Sequence, residues 1–131
     1  MKALIAKAHG CELCQIHLPN PPRPVFQVDP KAVILVAGQA PGRKVHDSGI
    51  PFDDASGDRL RDWLGLDSDT FYDATKIAIL PMGFCYPGSG KSGDFPPRPE
   101  CAEHWRRPML DGLVNIKLTL VIGQYAMAYH M

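Results

Sequence analysis

The sequence predicts an α/β domain built around a mostly parallel sheet. Three apolar runs carry this prediction: KAVILVAG (31–38), IAILPM (77–82) and KLTLVIG (117–123). Each run is unbroken and rich in β-branched residues, which is typical of strands buried on both faces of a parallel sheet. Helical patterns lie between the runs, and this alternation of strand and helix is typical of α/β folds.

The composition fits one globular domain over residues 1–131. The chain has 131 residues, of which 45% are hydrophobic and 21% charged, and domains of this size have a real core. Its 14 basic and 14 acidic residues balance, which excludes a protein working by bulk positive charge but not one with a local basic patch. The 12 glycines and 13 prolines indicate that much of the chain forms loops of defined conformation.

The N-terminal third contains a short helix and a long extended loop. Residues 1–10 have the pattern of an amphipathic helix, whereas residues 18–30 contain five prolines and are predicted to be extended. The start of the chain lacks the sustained apolar region of a signal peptide. No apolar stretch approaches the roughly 20 residues of a membrane span, so we expect a cytoplasmic protein.

A helix is predicted after the first strand, beyond a polar loop at 43–53. Ser56 is its expected N-cap, Leu60 and Trp63 are expected on one face with Leu64, and Gly65 ends it.

The rest of the chain follows the same alternation. Residues 67–76 favour a short helical turn, and residues 83–99 form a long glycine- and proline-rich loop. Residues 100–113 are predicted to be a helix kinked near Pro108, and another helix begins at Gln124.

Turn sequences follow all three predicted strands, at 39–42, 81–83 and 123–124. Ligands of open α/β sheets bind at the carboxyl ends of the strands, so these turns predict one shared crevice. The alternative is that the strands simply need turns.

The four cysteines indicate a metal site. Cys11 and Cys14 form a CxxC pair, and Cys85 and Cys101 lie in a loop and at a helix start. This set fits a four-thiolate site for zinc or for an iron–sulfur cluster, and spacing alone does not separate the two. The alternative is four unrelated thiols; structural disulfides are disfavoured in a cytoplasmic protein.

The run VAGQAPGRKVHDSGIPFDDASGDRLRDWLG (36–65) resembles the first motif region of the uracil-DNA glycosylase superfamily. More narrowly, it resembles the iron–sulfur branches called family 4 and family 5, and the order of the cysteines also fits. The resemblance covers roughly residues 4–130. It implies a three-layer α/β/α sandwich, a DNA repair hydrolase acting in base excision, uracil-containing DNA as partner, and a structural 4Fe–4S cluster. Its metal ligands would be Cys11, Cys14, Cys85 and Cys101.

The resemblance also implies site residues. Phe52 would stack on the extruded uracil, although the alternative is a packing role. Gln39 stands where family 4 has a glutamate, and an amide can orient water or contact the base but cannot act as a general base. Asp54 would activate or orient water or stabilise the sugar cation; the alternative is a carboxylate at a helix N-terminus. Three residues would hold the base or phosphate closely: Ala40, Pro41 and Gly42.

For contacts to the DNA backbone the candidates are basic residues near the strand ends. These are Arg43, Lys44, Lys91, Arg98, Arg106 and Arg107.

Two departures from the family pattern favour an alternative function. Pro81 replaces the asparagine that reads the uracil edge in family 4, and the H-P-S-like segment expected after a final strand is absent. The resemblance therefore implies a C-terminally incomplete domain. The alternatives are a catalytically impaired nucleic-acid-binding or cluster-binding module of the same fold, and a zinc-stabilised domain with an unrelated ligand.

Overall fold

The fold is built on parallel strands with helices before, between and after them. The structure, a computed structural model, describes residues 2–11, 23–90, 93–97 and 102–130. The strands of this described part are β1 (Ile34–Ala37), β2 (Ile77–Ile79), β3 (Ser89–Gly90), β4 (Gly93–Asp94) and β5 (Leu118–Val121). Its helices are α1 (Lys2–His9), α2 (Arg43–Ser48), α3 (Ala55–Leu64), α4 (Ser68–Phe71), α5 (Arg107–Asp111) and α6 (Gln124–His130), with a π-helical turn at Ala102–Arg106.

The central sheet has the order β2-β1-β5, and both pairings are parallel. Ile34 of β1 is in register with Ile77 of β2 and with Leu118 of β5. The strands β3 and β4 form a separate antiparallel hairpin within the loop predicted at 83–99. The predicted parallel α/β architecture is therefore confirmed.

Helices cover both faces of the sheet. On one face, Leu35 packs in a cluster with Ala8 of α1 and Met109 of α5. On the other face, Val36 packs with Phe71 of α4 and is flanked by Leu60 of α3. Because alternate residues of a strand point to opposite faces, β1 contributes to both clusters and the domain has three layers.

An extended segment borders the outer edge of β2. Gln27 forms an antiparallel bridge with Ile79, in which each residue donates its backbone N–H to the other, at 2.9 and 2.7 Å. Upstream, the Val25 N–H donates to the carbonyl of Phe84 at 2.7 Å. The prediction of extended chain is thus confirmed for residues 23–28, while residues 18–22 lie outside the described residues.

The segment predicted as a polar loop at 43–53 contains the short helix α2, so that prediction is wrong. Val45 alone is buried on this helix, which leaves little apolar periodicity to recognise. The helix ends at Gly49, in the left-handed region with φ +75°. Arg23 donates to the carbonyls of His46 and Asp47 at 2.9 and 2.8 Å. A guanidinium distant in sequence therefore satisfies the last carbonyls of α2.

The helix α3 begins at Ala55, and its N-cap is Asp54 rather than Ser56. The Asp54 carboxylate accepts the Gly57 N–H at 2.8 Å. Gly65 ends the helix as predicted, with φ +67°. Leu60 and Leu64 pack against the core, but Trp63 is 76% exposed, so the prediction of one shared face is wrong for Trp63.

The third central strand was predicted to be buried, but β5 lies at the edge of the sheet, where Leu118 is 50% exposed. The helix predicted at 100–113 divides into the π-helical turn and α5, with Pro108 in the first turn of α5. Arg106 is itself helical, so the π-helical turn runs directly into α5, and this change of helix type falls next to Pro108, where the kink was predicted. Within the described ranges, no helix is both long and apolar enough to cross a bilayer.

Candidate functional site

A cleft of about 280 Å³ opens at the carboxyl ends of the central strands. The residues after β1, from Gly38 to Gly42, form one side of it, and Pro81 and Gly123 reach it from the other two strands. The Pro51–Phe52 turn and Asp54 close the remaining side. The three predicted turns therefore meet in one crevice, as parallel strand topology requires.

Gln39 lines the cleft, and its backbone is hydrogen-bonded to the residues that follow β2. Its carbonyl accepts the Gly83 N–H at 2.9 Å, and the carbonyl of Gly38 accepts the Met82 N–H at the same distance. The side chain lies against Gly123, because a Cβ placed on Gly123 would be 3.3 Å from Gln39 Oε1. Gly123 has φ +88°, so both its conformation and the space around it favour glycine.

Phe52 both lines the cleft and packs on the core. Its ring makes an edge-on contact with Phe71, with the ring centroids 6.1 Å apart. The ring also lies beside the backbone of Gly38, where an added Cβ would be 3.4 Å from the ring. The two interpretations of this phenylalanine are thus compatible, because the core fixes one edge of a ring that also lines the cleft.

Asp54 caps a helix, as its alternative interpretation predicted, and it also lines the cleft. One carboxylate oxygen caps α3 through the Gly57 N–H, and the half-buried side chain lines the cleft. No described residue donates a hydrogen bond to the second oxygen, Oδ2. Among the described residues that line the cleft, Asp54 alone is ionisable. Any acid–base chemistry contributed by this wall therefore depends on Asp54.

Some lining residues carried no signal in the sequence. Val25 belongs to the proline-rich extended segment and reaches the cleft only because that segment borders β2. Ile122 directly follows β5, and Ser56 lines the cleft instead of capping α3. The polar contacts of Arg61 and Tyr72 with the Pro51–Phe52 turn were also not foreseen.

The predicted DNA-contacting residues differ in accessibility. Arg43 and Lys44 are exposed at the start of α2, directly after the Gln39–Gly42 turn. A distance of 3.9 Å separates Arg43 Nε from a carboxylate oxygen of Asp47, which makes a weak solvent-exposed pair. Lys91 lies outside the described residues, and so does Arg98.

Arg106 is fully buried, so its prediction as a DNA contact is wrong. Its Nε donates to the carbonyl of Leu80 at 3.1 Å, and its Nη2 lies 2.8 Å from His130 Nε2. Because a guanidinium can only donate, the His130 nitrogen is the acceptor. Burial lowers the pKa of Arg106 to about 10, so the side chain remains a cation at neutral pH. Among the described residues, Nη1 has no hydrogen-bond partner.

Side-chain contacts connect the segments that contain Cys11 and Cys85, two of the predicted metal ligands. The Trp105 indole N–H donates to Cys11 Sγ at 2.9 Å. The ring of His9 stacks on Phe26 at 4.4 Å, and Phe26 stacks on Phe84 at 4.7 Å. This column joins the end of α1 to the residue before the buried Cys85. Cys14 and Cys101 lie outside the described residues.

The fold is that of an α/β protein with its cleft at the ends of parallel strands. The aromatic ring, amide and single carboxylate that line this cleft suit a small planar ligand. Comparison with protein-family profiles makes the assignment more specific. The profile of the Uracil DNA glycosylase superfamily matches residues 25–131, well over half of the chain. The chain belongs to this superfamily, and membership indicates a DNA glycosylase-like hydrolase whose substrate is DNA.

Proposed function

We propose that this chain hydrolyses the N-glycosidic bond of uracil, or of a related deaminated base, in DNA after extruding the nucleotide from the base stack. The observation that carries this proposal is the placement of Phe52 and Asp54 on one wall of the cleft. An aromatic ring next to a single carboxylate offers a stacking surface and a group for handling water. Glycosylases need both, because they act on a base taken out of the duplex.

The reaction breaks the bond between the sugar C1′ and N1 of the base. The bonding electrons leave with the base, and an oxocarbenium-like sugar develops as the bond lengthens. A water molecule held by Asp54 Oδ2 adds to C1′, and the carboxylate accepts its proton. The negative charge of the same carboxylate also stabilises the sugar cation before water adds.

The turn after β1 would supply the contacts to the base. The amide of Gln39 can donate to a carbonyl oxygen and accept from a ring N–H, which suits the polar edge of uracil. Its position is fixed by the backbone bond from Gly83 and by the close approach of Gly123. Ala40, Pro41 and Gly42 form the rim where the sugar and phosphate would lie. Arg43 and Lys44, exposed next to that rim, would contact the DNA backbone.

Asp54 allows its capping role to be separated from its chemical role. Asparagine caps helices about as well as aspartate, so Asp54→Asn should preserve stability while removing the charge and the proton acceptor. Asp54→Ala should lose both. We expect Asp54→Asn to unfold at the wild-type urea concentration and to release uracil from an oligonucleotide at least about 100-fold more slowly. Wild-type uracil release by Asp54→Asn would contradict the assigned role of the carboxylate.

We also propose a structural 4Fe–4S cluster on Cys11, Cys14, Cys85 and Cys101. The support is the convergence of the Cys11 and Cys85 surroundings through the His9–Phe26–Phe84 column. The Trp105 N–H···S contact adds to it, because Trp105 follows Cys101 by four positions in the chain and hydrogen bonds to thiolate sulfur are common at such sites. The cluster would link the N-terminal segment to the core. Such thiolates persist in a reducing compartment, which fits the cytoplasm.

Metal analysis together with the visible spectrum tests the cluster. Iron and acid-labile sulfide with broad visible absorbance are expected, whereas stoichiometric zinc in a colourless protein would contradict the cluster. Trp105→Phe removes the N–H donor to Cys11 together with part of the ring, and keeps an aromatic side chain against the core. We expect this variant to retain iron but to show a more negative reduction potential in a redox titration. An unchanged potential would show that the indole N–H does not act on the cluster.

A second candidate function is nucleic-acid binding without catalysis. Two cleft residues favour it, because Gln39 cannot serve as a base and Pro81 has no side-chain group to read a base edge. Salt-dependent binding to DNA with no uracil release at high protein concentration and full cluster occupancy would support this candidate over the glycosylase.

A further inference from the structure

The Phe52 turn has an unusual backbone conformation. Phe52 is the one described non-glycine residue with positive φ, at +57°. This left-handed conformation is uncommon for a bulky side chain and persists where the surrounding structure enforces it. The turn itself closes through the Asp53 N–H, which donates to the carbonyl of Ile50 at 3.2 Å. That single bond is long, so other contacts must hold the turn in place.

Two side chains hold consecutive carbonyls of this turn. Arg61 Nη1 donates to the Phe52 carbonyl at 3.2 Å, and the Tyr72 hydroxyl donates to the Pro51 carbonyl at 2.7 Å. The two side chains are themselves connected, since Arg61 Nη1 also donates to the Tyr72 oxygen at 2.9 Å. The pair therefore forms one hydrogen-bonded network around the Pro51–Phe52 peptide.

Arg61 is held in place by its own surroundings. Its side chain is only 11% exposed, and its Nη2 donates to Asp58 at 2.6 Å. The guanidinium lies 5.3 Å from the ring centroid of Phe71 and 5.4 Å from that of Tyr72, within the range of cation–π contacts. Burial raises the pKa of the Tyr72 hydroxyl, so this group stays a neutral donor throughout the physiological range.

The same carbonyl also lies directly against α3. A Cβ added to Gly57 would lie 1.7 Å from the Phe52 carbonyl oxygen, so only a glycine allows this approach. The oxygen is thus close to the first turn of α3 and also bonded to the guanidinium of Arg61, one turn further along the same helix.

We propose that Arg61 and Tyr72 are positioning residues that fix the Pro51–Phe52 turn and thereby the orientation of the Phe52 ring in the cleft. Neither residue belongs to the cleft lining, so neither is expected to touch the extruded base. This inference rests on the proposed function for its substrate, but the rigidity that it assigns to the turn is a property of the free protein.

Hydrogen–deuterium exchange of residues 52–54 tests the inference without substrate. Tyr72→Phe keeps the ring and removes only the hydroxyl; Arg61→Met keeps much of the stem and removes the donors. We expect Tyr72→Phe to speed exchange of these amides about tenfold, in line with loss of its bond to Pro51, and Arg61→Met to speed it at least as much, because its bonds to Phe52 and Tyr72 are both lost. Because the two side chains act as one network, their effects should not be independent. The double variant should speed exchange by less than the product of the two single-variant factors. Arg59→Met, on the exposed face of the same helix, is the matched control and should leave exchange unchanged.

The same variants separate this inference from the proposed function. If the turn orients Phe52, Tyr72→Phe should slow single-turnover uracil release about tenfold and leave the affinity for undamaged DNA unchanged. A purely packing role for Tyr72 predicts wild-type exchange and wild-type release in this variant, and that result would overturn the inference. Faster exchange in a protein whose wild type releases no uracil would support the inference and contradict the proposed function.

Discussion

Gly57 offers the most direct test of how closely the Phe52 turn sits on α3. In Gly57→Ala, the new methyl carbon would lie 1.7 Å from the Phe52 carbonyl oxygen, 2.6 Å from its carbon and 2.8 Å from its Cβ. The first two atoms are backbone atoms, so rotation of a side chain cannot relieve the clash. Non-bonded contacts of a Cβ essentially never fall below 3.0 Å, and the turn must therefore retreat by about 1.3 Å.

The expected cost follows from three contributions. Overpacking of a close contact costs about 3 kcal/mol at the upper end of its usual range. Displacement of the turn also weakens the Asp54 cap, which is worth about 1 kcal/mol. Replacing a helical glycine with alanine returns about 1 kcal/mol of helix propensity. We therefore expect Gly57→Ala to lower the free energy of unfolding by about 3 kcal/mol.

Urea unfolding followed by far-UV circular dichroism measures this change. With a slope of about 2 kcal/mol per molar urea, the midpoint should fall by about 1.5 M. Gly10→Ala is the matched control, because an added Cβ there meets its nearest neighbour at 3.8 Å, an ordinary contact. A Gly57→Ala protein within about 0.5 kcal/mol of the wild type would show that the turn accepts the methyl group and is not held against α3, since surface substitutions alone produce changes of that size.

Two further predictions concern His130, which lies beside the buried Arg106, and Gly123, which lines the cleft. Burial lowers the pKa of His130 below its ordinary 6.5, and the nearby Arg106 charge lowers it further. Just below pH 6.5 this histidine is therefore protonated in the unfolded chain but still neutral in the folded protein. Stability should consequently decline as the pH falls through 6.5, and His130→Gln should remove that part of the decline; parallel pH profiles of the two proteins would contradict this. Gly123→Ala should cost about 1–2 kcal/mol through its positive φ and should also displace Gln39, slowing uracil release. Gly65→Ala is the control, because Gly65 has a similar φ but an added Cβ there would meet nothing within 4 Å. It should lose comparable stability and keep full activity. Equal uracil release by the two variants would show that the contact of Gly123 with Gln39 does not affect activity.

The position of the cleft could be predicted because it depends on local patterns and one topological rule. Apolar runs located β1 and β2, and the turns after them had to meet once the strands were parallel. The burial of β5 could not be obtained in the same way. An apolar run indicates a strand but not its place in the sheet, and β5 occupies an edge.

Long-range contacts explain most of the remaining differences. The helix α2 has one buried residue, and its C-terminal carbonyls are satisfied by Arg23, some twenty positions away. The charge of Arg106 predicts a surface position, because charged residues are rarely buried. Its guanidinium is nevertheless buried and is bonded to the carbonyl of Leu80 and to His130 of α6. Nothing in the neighbouring sequence distinguishes it from the exposed Arg107.

The bridge at Gln27 has a consequence for the two borders of the sheet. Besides its main-chain bonds to Ile79, the Gln27 side-chain amide donates to the carbonyl of Ile77 at 2.8 Å and to that of Phe71 at 3.0 Å. The outer edge of β2 thus has its donors and acceptors occupied and offers no template for another strand. Within the described residues, β5 keeps an open border with Leu118 half exposed. A strand that pairs directly with one of the three central strands would therefore join at β5 and not at β2.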